Sequence, residues 1–201
     1  MNVLILDPTD ALAPDGDLAG RVAAAGALAG PVCRVTRAVD LDGAAAWMLH
    51  FSCAPPIRTR AEPDGLACAA LLACDQFADG DELVILAGDE SGWAEHFARL
   101  DAARPHNVDV FLSFGGDGPA RLDVDPDLTA LLSRTGGVIP DLAWYRTAGL
   151  FYTAAKQVIR KDARWAGQYT ADSVLRELAL HDARVGYHGR PWELHGPATA
   201  G

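Results

Sequence analysis

Two continuous apolar runs, Val3-Leu4-Ile5-Leu6 and Leu83-Val84-Ile85-Leu86-Ala87, constrain the fold of this chain more than any other feature. Neither alternates apolar with polar residues, so neither suits a sheet with one face in water. Each reads as a strand covered on both faces. Each also runs into carboxylates: Asp7 after the first, and Asp89-Glu90 after the second by way of Gly88. Leu18 to Leu28, Gly65 to Phe77, Trp93 to Ala103, Ala148 to Asp162 and Ala171 to His181 read as helices. Val32 to Val39, Ala46 to Cys53, Val108 to Phe114 and Val185 to Tyr187 read as strands, and Val138 to Tyr145 as a short hydrophobic piece. This alternation predicts the α/β class, as a three-layer sandwich with a mainly parallel central sheet and an antiparallel excursion in the irregular second half. Pro55-Pro56 is expected to break the chain between elements. Asp64 is expected to cap the helix that begins at Gly65.

The chain has 201 residues, no internal repeat and no long linker, which predicts one domain over residues 1–201. Half of the residues are apolar and 22% are charged, enough for a packed core and too apolar for disorder. Seventeen Lys and Arg against 27 Asp and Glu give a formal charge of −10. Such a surface repels the phosphate backbone and anionic lipid, so neither nucleic acid nor a membrane surface is an expected partner. No run approaches the roughly 20 apolar residues of a membrane span. The opening Met1 to Asp7 has no basic leader and reads as a strand, so a cytoplasmic location is expected.

Other chemistries lack their signatures. The four cysteines, at 33, 53, 68 and 74, have no paired short spacing. Cys68 and Cys74 fall on different faces of their helix, so buried free thiols are expected instead of a zinc site or disulfides. The histidines at 50, 96, 106, 181, 188 and 195 show no His-x-x-x-His spacing, and no Gly-x-Ser-x-Gly elbow occurs. A zinc enzyme and an α/β hydrolase are disfavoured. In open α/β sheets, ligands bind beyond the carboxyl ends of the strands. Asp89 stands at such an end, where a carboxylate can hold a divalent metal against a diphosphate, and Gly88 lets a ligand come close to the backbone. The alternative is that Asp89 only caps the helix starting near Trp93.

Gly65-Leu66-Ala67-Cys68-Ala69-Ala70-Leu71-Leu72-Ala73, followed by Asp81 to Glu90, resembles the middle of a sugar-nucleotide nucleotidyltransferase of the small capsule-biosynthesis type. Further similar segments follow in order. Ala120-Arg121-Leu122-Asp123 resembles the family strand that crosses the active-site sheet. Leu142-Ala143-Trp144-Tyr145 resembles its Gly-x-Tyr strand, with Ala143 in place of Gly. Ala166-Gly167-Gln168-Tyr169-Thr170-Ala171-Asp172 resembles its Asn-Gly-Glu-Tyr-Tyr segment, with Gln168 in place of Glu. Pro191-Trp192-Glu193-Leu194-His195-Gly196-Pro197 resembles its closing Trp-x-x-Gly-Thr-Pro turn. The resemblance spans residues 58 to 200. It implies the nucleotide-diphospho-sugar transferase (GT-A-like) fold and a Mg²⁺-dependent transfer of a nucleotide to a phosphorylated small molecule. Asp89 would hold the metal, Gly65 would approach the base or ribose, and Glu90, Gln168 and Asp172 would shape the sugar side. No catalytic side chain is assigned.

The chain departs from that family at its beginning. The family opens with a Gly-rich phosphate loop carrying Arg and then a Pro-Lys pair, whereas residues 7–17 carry Asp7, Asp10, Asp15 and Asp17 and no basic residue. Its two lysines, Lys156 and Lys161, come late. Four carboxylates beside a triphosphate oppose binding unless a metal or an arginine intervenes. The expectation is therefore a nucleotidyltransferase-like protein of sugar-nucleotide or surface-polysaccharide metabolism with reduced or lost catalysis. The alternatives are a non-catalytic module of the same fold that binds a nucleotide sugar, a protein partner or a second copy, and a glycosyltransferase.

Overall fold

The computed structural model describes residues 1–7, 32–39, 45–51, 54–59, 65–87, 92–103, 107–115, 123–124, 140–164 and 167–188. Nine strands among them form one sheet: β1 (Asn2–Asp7), β2 (Val32–Val39), β3 (Ala45–Phe51), β4 (Ala54–Thr59), β5 (Leu83–Ala87), β6 (Val110–Ser113), β7 (Asp123–Val124), β8 (Leu142–Tyr145) and β9 (Val185–His188). Their order across the sheet is β4-β3-β2-β1-β5-β8-β6-β9-β7. The described helices are α1 (Leu66–Leu71), α2 (Trp93–Ala103), α3 (Ala148–Arg160) and α4 (Ala171–Ala179), with a 3-10 turn at Cys74–Gln76.

The α/β class and the layering follow from the two apolar runs. Leu4, Leu83, Ile85, Leu112, Ala143 and Tyr145 pack with α1, α3 and α4. Val3, Ile5, Val84, Leu86, Phe111 and Trp144 pack with α2. Successive residues of one strand thus enter opposite cores, as the two-residue period of a strand requires. Burying a Leu, Ile or Val side chain is worth about 1.5–3 kcal/mol, so helices on both faces are what make such strands stable.

The sheet is mixed, which corrects the expectation of a mainly parallel one. β2 and β5 run parallel to β1, and β9 runs parallel to β6. The pairs β2–β3, β3–β4, β5–β8, β6–β8 and β7–β9 are antiparallel. Connection length explains the first half: residues 40–44 and 52–53 are too few for the crossover that parallel neighbours need. In the second half, β8 lies between β5 and β6 and against both, the antiparallel excursion expected there.

Two local expectations also change. Pro55 and Pro56 do not end an element; they lie within β4, the edge strand. An edge leaves one row of backbone groups unpaired, so a residue without an N–H is tolerated there, and the β3–β4 register is irregular between Leu49 and Phe51. Helix α1 is shorter than the run Gly65 to Phe77. Its last turn tightens, with Leu72 N donating to Ala69 O and Ala73 N to Ala70 O, before the 3-10 turn. Its N-cap is Gly65, without a side-chain capping bond, while Asp64 lies outside the described residues.

Candidate functional site

The carboxyl ends of β1, β5, β6 and β9 share one edge of the sheet, where their last residues are Asp7, Ala87, Ser113 and His188. Helices α1 and α4 each lead into a strand of that direction, β5 and β9, and so begin at this edge. Helix α3 begins at the opposite edge, where Ala148 N donates to Asp81 O (2.6 Å) and Gly149 N to Asp79 O (2.9 Å). It therefore delivers residues 161–164 and 167–170 to the carboxyl edge.

That segment is fastened by its own side chains. The Tyr169 hydroxyl donates to Asp162 Oδ1 (2.6 Å), and Arg164 Nε donates to the same oxygen (2.7 Å). Arg164 also donates to Gly167 O and to the Tyr169 hydroxyl, both at 3.0 Å, and its guanidinium lies 4.3 Å from the Tyr169 ring centroid. The Tyr169 hydroxyl, followed by Arg164, holds the Asp162 carboxyl below the usual carboxylate range. Positive φ angles at Asp162 (51°) and Gly167 (83°) turn the chain back, and Gln168 is exposed on the result.

Gly65 fastens this loop to α1. Ala67 N donates to Tyr169 O at 3.0 Å, and a Cβ on Gly65, whose φ is 95°, would lie 2.5 Å from that oxygen. Among the described residues, the close approach that glycine permits here is to the Tyr169 backbone. Thr170 then caps α4, its hydroxyl accepting from Ser173 N (3.3 Å). Asp172, in the first turn, is 4% exposed, and among the described residues its Oδ2 has no hydrogen-bond partner. Burial raises its carboxyl above the usual range, with Arg176 opposing. One turn further along α4, buried Glu177 accepts from Lys161 Nζ at 2.6 and 2.8 Å. Those bonds pull its carboxyl down.

A second polar group stands where β6 ends and β8 begins. His96 Nδ1 lies 2.8 Å from Ser113 Oγ, and its Nε2 lies 3.9 Å from Asp141 Oδ2. Asp141 Oδ2 accepts from Gly115 N at 2.5 Å. Arg99 Nη1 donates to Phe114 O (2.7 Å) and to Ser113 Oγ (3.4 Å), while Nη2 pairs with Glu95. Ser113 is fully buried and His96 is 6% exposed. Burial, opposed by Asp141, keeps the imidazole below its usual pKa.

Of the residues expected at the site, Gly65 therefore stands against the segment that carries Gln168 and Asp172. Asp89 and Glu90 lie outside the described residues, as do residues 120–122 and 191–197 of the family-like segments. Leu142–Tyr145 forms β8 as one continuous strand. The polar group at His96, Ser113 and Asp141 was not anticipated. One signal was available: Trp93, His96, Phe97 and Leu100 occupy the i, i+3, i+4, i+7 positions of one helix face, so position 96 is a core position holding a polar residue.

No family model matches the chain, and no curated protein matches it as a relative. Among the described residues, no helix is long and apolar enough to cross a membrane, and no group of three or more His, Cys, Asp or Glu side chains is placed to hold a metal ion.

Proposed function

We propose that this chain is a nucleotidyltransferase-like protein of sugar-nucleotide or surface-polysaccharide metabolism, with the GT-A-like fold, that binds a nucleotide or nucleotide sugar at the carboxyl edge of its sheet. The observation that carries the reading is the contact between Gly65 and the Tyr169 backbone. It joins two of the family-like segments, far apart in the chain, at the edge where open α/β sheets take their ligands. In such a site the neutral Gln168 amide both donates to and accepts from sugar hydroxyls. The lock between Asp162, Arg164 and Tyr169 holds that residue's backbone in place before any ligand arrives.

In the active form of this reading, an oxygen of a sugar phosphate or similar phosphorylated alcohol forms a bond to the α-phosphorus of a nucleoside triphosphate. The α–β bridging bond breaks, and pyrophosphate leaves with its electron pair. A magnesium ion held through Asp89 would neutralise and orient the phosphates; no described cluster adds protein ligands to that assignment.

A specific observation favours the non-catalytic form. Of the chain's two lysines, Lys161 is occupied by both carboxylate oxygens of Glu177, and residues 7–17 offer carboxylates where the family offers phosphate-binding groups. Thermal-shift titration with nucleoside triphosphates and nucleotide sugars, with and without Mg²⁺, tests the proposal. A ligand at 100 times its Kd stabilises the native state by about 2.7 kcal/mol. A Mg²⁺-dependent shift that Asp89→Ala abolishes, together with pyrophosphate release, defines an active enzyme. A shift without release defines a binding module. No shift with any of these ligands overturns the reading.

A further inference from the structure

Strands β2, β3 and β4 differ from β1 and β5 in pattern: their residues alternate. The register puts Val35, Leu49 and Ile57 on one rung, and Cys33 opposite Phe51 on the same face. That face is apolar apart from Arg37 and Thr59. The alternate positions make the other face. There Arg34 stands opposite His50, and the adjoining rung holds Thr36, Met48 and Arg58. One face is thus mostly apolar and the other polar and basic.

We propose that the polar face of β2–β4, where Arg34, His50 and Arg58 occupy adjoining rungs, binds the phosphate group of a small soluble molecule. The proposal rests on placement and charge complementarity, and is independent of the nucleotide reading at the carboxyl edge. The three strands contain no Asp or Glu, in a chain that has 27. In β1 the carboxylate on this face is Asp7, opposite Thr36. Among β1 to β4, three basic positions therefore share the face with one acidic position. Like charges gathered on one sheet face repel, and a bound oxyanion removes that repulsion. Two strand spacings separate β2 from β4, about 10 Å, which two arginine side chains together can span. The guanidinium fork matches the oxygens of a phosphate, and an imidazole or a threonine hydroxyl adds a further donor.

Net charge selects the size of the partner. At −10, the molecule repels a bilayer or a nucleic acid, whose charges extend far beyond the patch. Salt screens charges over about 8 Å at physiological ionic strength, so a small anion responds mainly to the groups beside it.

The test is NMR on the intact chain without Mg²⁺ or nucleotide. Sodium phosphate and sodium sulfate are titrated separately at constant ionic strength, with sodium chloride as the balance. The Nε–Hε signals of Arg34 and Arg58 are expected to shift saturably with both oxyanions and not with chloride. Arg34→Gln and Arg58→Gln should each weaken binding about tenfold. Arg58→Lys, which keeps the charge but not the fork, should restore part of that loss. Arg160→Gln, at the exposed end of α3, should bind as wild type does. Shifts that never saturate, shifts that chloride reproduces, or an affinity unchanged in Arg34→Gln or Arg58→Gln overturn the proposal. So does co-sedimentation with phosphatidylserine vesicles that these variants abolish, which would assign the face to a membrane. If a variant does not fold, the wild-type signals decide: saturation at Arg34 and Arg58 together supports the face, and saturation only at other arginines sinks it.

Discussion

The two polar corners of the carboxyl edge are built by opposite means. Around residues 161–164 and 167–170, many contacts are short-range in sequence: Asp162, Arg164, Gly167 and Tyr169 bond one another, and the Tyr169 backbone meets Gly65 and Ala67. At the other corner, His96, Ser113 and Asp141 come from α2, β6 and β8, and none is near another in the chain. The first corner keeps its shape through local chemistry, so its residues form a readable segment. The second exists only once the sheet is assembled, so its residues read as unrelated until then.

That contrast yields graded tests. The largest effect is expected from Gly65→Ala. A side chain at φ 95° with a Cβ 2.5 Å from Tyr169 O adds backbone strain to a clash with the main chain. Together these should cost about 2–4 kcal/mol in denaturant unfolding. Gly167→Ala is the control, since its φ is 83° but among the described residues no atom lies within 4 Å of an added Cβ; strain alone should cost about 1–2 kcal/mol. Equal losses would mean that the Gly65 contact is not what ties the loop down.

Next comes Lys161→Met, which strips buried Glu177 of both lysine bonds and leaves it His181 at 3.3 Å. Half of the lysine side chain is exposed, so the loss should be about 1–2 kcal/mol near neutral pH. Because the folded-state carboxyl is depressed, wild type should hold this stability above the ordinary glutamate range and lose it as pH falls through the lower folded value. A gap between wild type and variant that persists in strong acid would contradict the ion pair.

The smallest effect, of opposite sign, belongs to Asp172→Asn. Its carboxyl is raised by burial, so wild-type stability should fall as pH climbs from the ordinary aspartate value to the folded one. The variant, which carries no charge, should lack that fall and be as stable as wild type or more so at neutral pH. Chemical denaturation at several pH values checks this, and a less stable variant with the same pH profile would show that Asp172 is paired.

Several elements were legible because their signals are local. Helix α2 matches its expected bounds, Trp93 to Ala103, because four apolar-face positions recur at the helical period. Strand β2 matches Val32 to Val39, and the covered strands declared themselves by unbroken apolar runs. The prolines of β4 misled for a physical reason: proline forbids a central strand but not an edge, and edge position is a property of the sheet. Lys161 and Glu177 carried no such signal, since their distance depends on how α3 and α4 pack.

The amino-acid pattern alone requires that strands such as β1 and β5 be covered on both faces, that helices alternate with them, and that carboxylates follow their ends. Hydrophobic period and turn chemistry act over a few residues, so they survive in the bare chain. Long-range packing is what sets β8 backwards between β5 and β6, brings Gly65 to Tyr169, and gives a core-facing histidine a serine and a carboxylate at a strand end. Those outcomes depend on which distant segments pair. That choice is made by the summed burial of two cores and by the need to give each buried polar group a partner.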